Sequence, residues 1–195
     1  MMLVERKKVA IVLGNGPSRK DIDLDTLKGK GTIFGCNALY REWDGYDYLV
    51  AIDQRMEDEI KNNYDKIDID SVIFPPEKER WEETTGRRNN AGMVAMREAI
   101  SRNYNLIYCL GFDFIISGNR SLDNIYKGTQ NYEEHTQSNA DDIYNRINYL
   151  EWFASQHPNI LFVFVIPDSR SSRLRVIEAK NVIGMKISMF KEKLK

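Results

Sequence analysis

The stretch Val9-Ala10-Ile11-Val12-Leu13, followed at once by Gly14-Asn15-Gly16-Pro17-Ser18, decides how the rest of the chain is read. An unbroken apolar run within Lys8–Leu13 predicts a strand covered on both faces, because a strand with one wet face would alternate apolar and polar side chains. Glycines then permit positive φ and close backbone approach. Pro17 suits the first position of a helix, where its missing N–H costs nothing, and Ser18–Leu27 can carry that helix. Free amides at such a start face an anion, with the helix dipole behind them. The same five residues serve equally well as a plain strand-to-helix turn capped by Ser18. They also depart from the dinucleotide fingerprint G-x-G-x-x-G, since Arg19 stands where its third glycine would be.

Working outward, the same alternation recurs. Apolar runs of strand length lie at Thr32–Cys36, Tyr48–Ile52, Ser71–Phe74, Leu106–Leu110 and Ile160–Ile166. Helical patterns lie at Arg55–Asn63, Ala91–Arg102 and Asn139–Gln156, the last with Ile143, Tyr144, Ile147, Leu150 and Phe153 in one stripe. Ser138 or Asn139 is placed to cap that helix, and His157-Pro158 to end it. Strands alternating with helices predict the α/β class: a single Rossmann-like domain over residues 1–195, its sheet mostly parallel and its helices on both faces. Three regions break the alternation. Pro75–Asn90 is charged and proline-led. Gly111–Ser138 is long, polar and tyrosine-bearing, and is expected to be a lid-like loop. The basic stretch from Ser169 onward has no assigned element.

Composition narrows the function classes. The 195 residues suffice for a sizeable core. With 28 Lys plus Arg against 29 Asp plus Glu, the chain has no general attraction to nucleic acid or anionic membrane, so an anion site must be built locally. No run approaches the roughly 20 apolar residues of a membrane helix, and the N-terminus lacks a signal-peptide pattern. Cys36 and Cys109 sit inside apolar runs and are expected to be buried and reduced, which fits a cytoplasmic protein. A homo-oligomer is left open.

In an open parallel sheet, ligands bind beyond the carboxyl ends of the strands. The residues expected there are Gly14, Asn15, Gly16 and Ser18 after the first strand, Asn37 after the second and Asp53 after the third. Gly111 and Asp113 follow the fifth, and Ser169 the sixth. Arg87 and Arg88 precede the helix that contains Gly92, and paired arginines there can hold a phosphate or stand as a solvated loop. His135, in Glu133-Glu134-His135-Thr136-Gln137-Ser138, has carboxylate neighbours that would raise its pKa toward that of a usable base, though a solvated loop histidine has the same appearance. Asp53 and Asp113 can hold Mg²⁺ with a nucleotide, bind ribose hydroxyls or cap helices. No Cys/His metal spacing, G-x-S-x-G or Walker A motif occurs.

Taken in order, four segments resemble the bacterial sialyltransferases of glycosyltransferase family 42. They are the Gly14–Ser18 turn, Phe34-Gly35-Cys36-Asn37-Ala38, the run from Arg88 through Gly92 into Gly111-Phe112-Asp113-Phe114, and the His135 segment; Pro167-Asp168-Ser169 is similar as well. The resemblance implies an inverting transfer from a CMP-sugar donor to a glycan acceptor, with no metal required. It further implies that Asn15, Gly16, Ser18 and Asn37 contact the donor, that His135 is the general base, and that Arg88 is functionally required. The chain departs from the family pattern at Ile115, where a phosphate-supporting tyrosine is expected, leaving Tyr126 or Tyr132 to replace it. It departs again at Ala91 in place of serine and at Asp53 in place of asparagine. The Gly-Pro-Ser turn with a strand ending in Asp53 is also similar to archaeal 6-hydroxymethylpterin pyrophosphokinases, which implies Mg²⁺-dependent diphosphate transfer. A third reading is a nucleotide-binding relative without catalysis.

Overall fold

The computed structural model describes residues 7–63, 65, 67–120, 123–133, 140–169, 172–175 and 177–195. The apolar run Val9–Leu13 is strand β1, and its side chains alternate between two cores as a two-faced strand requires. Ala10 and Val12 enter one core while Ile11 and Leu13 enter the other, all four fully buried. The next strands repeat this use: β2 (Thr32–Cys36), β3 (Tyr48–Val50), β4 (Val72–Ile73), β5 (Leu106–Leu110) and β6 (Leu161–Ile166). A further strand, β7 (Val182–Lys186), rises from the basic stretch to which no element was assigned.

Among the described residues the seven strands form one sheet in the order β4-β3-β2-β1-β5-β6-β7, and every pairing is parallel. Helices cover both faces. On one, α2 (Ala91–Ser101) and α3 (Ala140–Gln156) bring Val94, Met96, Leu150 and Phe153 against Phe34, Cys109 and Phe164. On the other, α1 (Gln54–Lys61) and α4 (Ile187–Lys193) bring Met56, Ile60, Ile187 and Phe190 against Ile11, Leu13 and Leu49. Cys36 and Cys109 are buried free thiols in the first core.

The segment after β1 differs from expectation. Instead of one helix over Ser18–Leu27, it makes two short 3₁₀ turns, Pro17–Asp21 and Leu24–Leu27. Ile22 between them is extended, at φ −110° and ψ 119°. Asp23 then caps the second turn, its carboxylate accepting from the Asp25 amide at 3.1 Å. No described helix is long and apolar enough to cross a membrane.

The strand order places the site. From β1 the chain winds outward through β2, β3 and β4, then returns to add β5, β6 and β7 on the other side of β1. The direction of winding therefore reverses between β1 and β5. There the connections leaving two neighbouring strands diverge and open a crevice at the carboxyl edge.

Candidate functional site

The turns leaving β1 and β5 are laced together before any ligand enters. The Gly14 amide donates to the Leu110 carbonyl at 2.8 Å, and the Gly16 amide to the Gly111 carbonyl at 2.9 Å. A Cβ on Gly14 would stand 2.7 Å from the Gly111 oxygen, and one on Gly16 2.6 Å from the same atom. Both glycines are thus fixed by backbone contact. Gly16 itself is extended at φ −71°; the positive φ belongs to Gly111, at +72°. The amide expected to face an anion is also taken: Ser18 donates from its amide to Asp113 Oδ2 at 3.1 Å, and from its hydroxyl to Asp113 Oδ1. The turn already holds a carboxylate of its own chain. Burial pushes the Asp113 carboxyl above its ordinary range despite the two Ser18 bonds.

Beyond this seam lies a cleft lined by Gly14, Asn15, Gly16, Asn37, Gly92, Gly111 and Asp113, together with Asn90, Phe112, Asp123, Asn124 and Arg146. Asn90 caps α2, accepting from the Met93 amide at 3.0 Å. Gly92 admits the Phe112 ring, which a Cβ would meet at 2.6 Å. Two asparagines face the cleft with unmet bonding capacity. Asn15 donates its amide to the Cys36 carbonyl at 3.2 Å, while its Oδ1 is buried without a partner. Asn37 holds a left-handed backbone, φ +50°, and its Oδ1 is likewise buried and unpartnered. Leaving a buried acceptor unsatisfied costs about 1–3 kcal/mol, so two in one cleft mark a place where hydroxyl or amino donors of a ligand fit.

Other residues singled out in the sequence lie elsewhere. Arg88 donates to the Ile52 carbonyl and to Glu77 Oε1 at 2.9 Å, and lies over the Trp81 ring. It lines a neighbouring cleft with Glu82, Arg87, Asp142, Asn145 and Arg146. Asp53 stands 4.0 Å from Arg88 and lines a third cleft with Tyr132 at the start of α1. Asp53 and Asp113 thus line different clefts. Ser169 bonds to the Ser172 hydroxyl, its carbonyl accepts from Lys186, and it does not line the asparagine cleft. His135 lies outside the described residues. Neither candidate tyrosine lines the asparagine cleft: Tyr126 donates to Glu42 at 2.5 Å, and Tyr132 lies beside Asp53.

Two features of the site escaped sequence reasoning. The first is how residues 123–133 are held. Arg19, 3% exposed, donates to the Gly14 carbonyl at 2.8 Å, to Glu42 at 2.6 Å and to the Tyr126 hydroxyl at 3.1 Å. It pins the turn after β1 to this segment, whose Ile125 amide donates to the Asn15 carbonyl at 2.8 Å. Arg41 forms a second clamp, donating to Glu59, to Thr129 Oγ1 at 2.8 Å and to the Gln130 carbonyl at 2.8 Å. The second feature is Arg146, which enters the cleft wall from α3.

The fold is similar to that of a sialyltransferase. The structure of the monofunctional α-2,3-sialyltransferase Cst-I from Campylobacter jejuni superposes over 100% of this chain and 96% of its own, with a TM-score of 0.57 at 14% identity. The sialyltransferase CST-II in complex with a trisaccharide acceptor and CMP matches over 89% of this chain and 87% of its own, with a TM-score of 0.50 at 18% identity. At these identities the likeness is one of fold. No family model matches the chain, and no curated protein matches it by sequence. None of these comparisons supports the resemblance to the pterin pyrophosphokinases.

Proposed function

We propose that this protein is a nucleotide-sugar-dependent glycosyltransferase of the sialyltransferase type, with the donor seated in the cleft where the winding of the sheet reverses. The observation that carries the reading is the pair of buried, unpartnered oxygens, Asn15 Oδ1 and Asn37 Oδ1, on two residues that line that cleft. They suit the hydroxyl and amino donors of a nucleoside such as CMP. The fold shared with Cst-I and CST-II supports the same assignment. In this reading residues 1–195 act as one donor-binding unit, and residues 111–138 form the lid over it. His135 takes the proton of the acceptor hydroxyl as that oxygen attacks the anomeric carbon, and CMP leaves with inversion. A positioned base of this kind contributes about 10²–10⁴-fold to rate.

The reading is tested by thermal unfolding with CMP, CDP, UDP, GDP and ATP, each with and without Mg²⁺. CMP or CDP is expected to stabilise the protein without metal, by about 2.7 kcal/mol at a hundred times its Kd. Stabilisation by Mg²⁺-ATP alone would replace this reading with diphosphate transfer. His135→Ala is expected to lose transfer while CMP binding persists. If the variant turns over normally, the base lies elsewhere; if the wild type binds CMP without ever transferring sugar, the chain is a binding relative only.

A further inference from the structure

Arg146 is a cation without an ion-pair partner among the described residues. Among the described residues its guanidinium makes neither a hydrogen bond nor an ion pair, although it is only partly exposed and forms the wall between the asparagine cleft and the Arg88 cleft. Its natural partner on α3 would be Asp142, one turn earlier, but Asp142 turns to Arg87 at 3.8 Å. Glu82, the other nearby carboxyl, accepts from the Thr85 hydroxyl. Both acids act on Arg146 through space without reaching it, and burial lowers its pKa, so the charge is held at a cost. A half-buried guanidinium with five donors and no acceptor is incomplete without an oxyanion.

The carboxylates that line the cleft with Arg146 are engaged elsewhere. The lining carries two carboxylates and one cation. Asp123 is paired with Lys127 at 3.2 Å and Asp113 is bound by the Ser18 amide and hydroxyl, so neither carboxylate is engaged with Arg146, and Arg146 is the cation of the lining whose donors stand open. No phenol of Tyr126 or Tyr132 lines this cleft. We propose that Arg146 is the anion-binding group of the cleft, taking a phosphate or carboxylate oxygen of the ligand held by Asn15 and Asn37. The identity of that ligand rests on the nucleotide-sugar reading; its charge does not. On a nucleotide donor the anion is the phosphate, and on an acidic sugar it is the carboxylate.

Isothermal titration of the wild type, R146Q and R146K with CMP, cytidine, inorganic pyrophosphate and N-acetylneuraminate tests this. R146Q is expected to bind the anion roughly ten- to a hundredfold more weakly, the worth of a charge-assisted bond. Cytidine binding should be unchanged, and R146K should restore part of the loss. Weakening confined to CMP and pyrophosphate assigns the phosphate, and weakening confined to N-acetylneuraminate assigns the carboxylate. Because Arg146 has no hydrogen-bond or ion-pair partner among the described residues, R146Q should melt no lower than the wild type. If the wild type binds pyrophosphate through Arg146 but binds no nucleotide, the anion site stands and the nucleotide reading falls. The proposal is overturned if R146Q binds all three anions as the wild type does, if it loses cytidine equally, or if the wild type binds none of the three.

Discussion

Asn37 carries two local costs in one residue. Its left-handed backbone is tolerable for asparagine and unfavourable for most other side chains, by about 1–2 kcal/mol. Its buried oxygen adds an unmet acceptor. These two terms separate by substitution. Asn37→Ala removes the unmet oxygen but keeps the strain without asparagine's tolerance for it, and is expected to be about 1 kcal/mol less stable than Asn37→Gly. Asn37→Gly relieves the strain as well and should melt no lower than the wild type. Both variants lose the acceptor, so both should bind CMP more weakly, by thermal melting and titration side by side. If the alanine variant alone weakens binding, the oxygen is not a ligand contact. Asn15 and Asn37 were legible as candidates because they follow apolar strands at the edge where ligands gather. Arg146 was not, since it stands on a helix beside Asp141, Asp142 and Asn145 and has the look of a solvated face. Asp142, its neighbour one turn away, pairs with Arg87, and that pairing spans 55 residues of chain.

The segment 123–133 is held as an element by two arginine–glutamate clamps, and their chemistry gives it a pH dependence. Burial alone would raise the Glu59 carboxyl; hydrogen bonds from Arg41, Tyr40 and Asn131 outweigh it and hold the group below the usual glutamate range. Glu42 is held low in the same way by Tyr126 and Arg19. A carboxyl depressed in the folded state adds stability that is present above its unfolded pKa, about 4.3 for glutamate. That stability is lost as pH falls through the folded value. Hydrogen exchange of residues 123–133 should therefore quicken as pH drops below about 4, after correction for the intrinsic rate, before the strand amides follow. Glu59→Gln leaves Arg41 without its counter-ion and should cost roughly 3 kcal/mol, read by chemical denaturation. If the segment keeps its protection in that variant, the Arg41 clamp does not hold it. Element boundaries were legible where apolar content was high, as at Thr32–Cys36 and Leu106–Leu110. β7 was not, because Gly184 interrupts it and Ile183 is 40% exposed at the sheet edge.

At the scale of the whole molecule, the parallel α/β class followed from continuous apolar runs alternating with helical patterns. The strand order did not, since nothing local in Val9–Leu13 says which two strands will flank it. That order has a consequence for how the chain is made. β1 gains its first neighbour about 20 residues on, where Ala10 pairs with Thr32, but its second only when Val9 meets Leu106. Until the chain has been synthesised past Leu110, β1 keeps one bare edge of apolar strand, a template for wrong pairing. A fragment ending before Leu106 should therefore self-associate in sedimentation and bind no nucleotide, because the Gly111 side of the cleft is missing. A monomeric fragment that bound CMP would contradict this. In refolding, the pairing that closes the sheet is also the one that builds the site, so binding competence should appear in the same slow kinetic phase as the last strand contacts, with no earlier nucleotide-binding species.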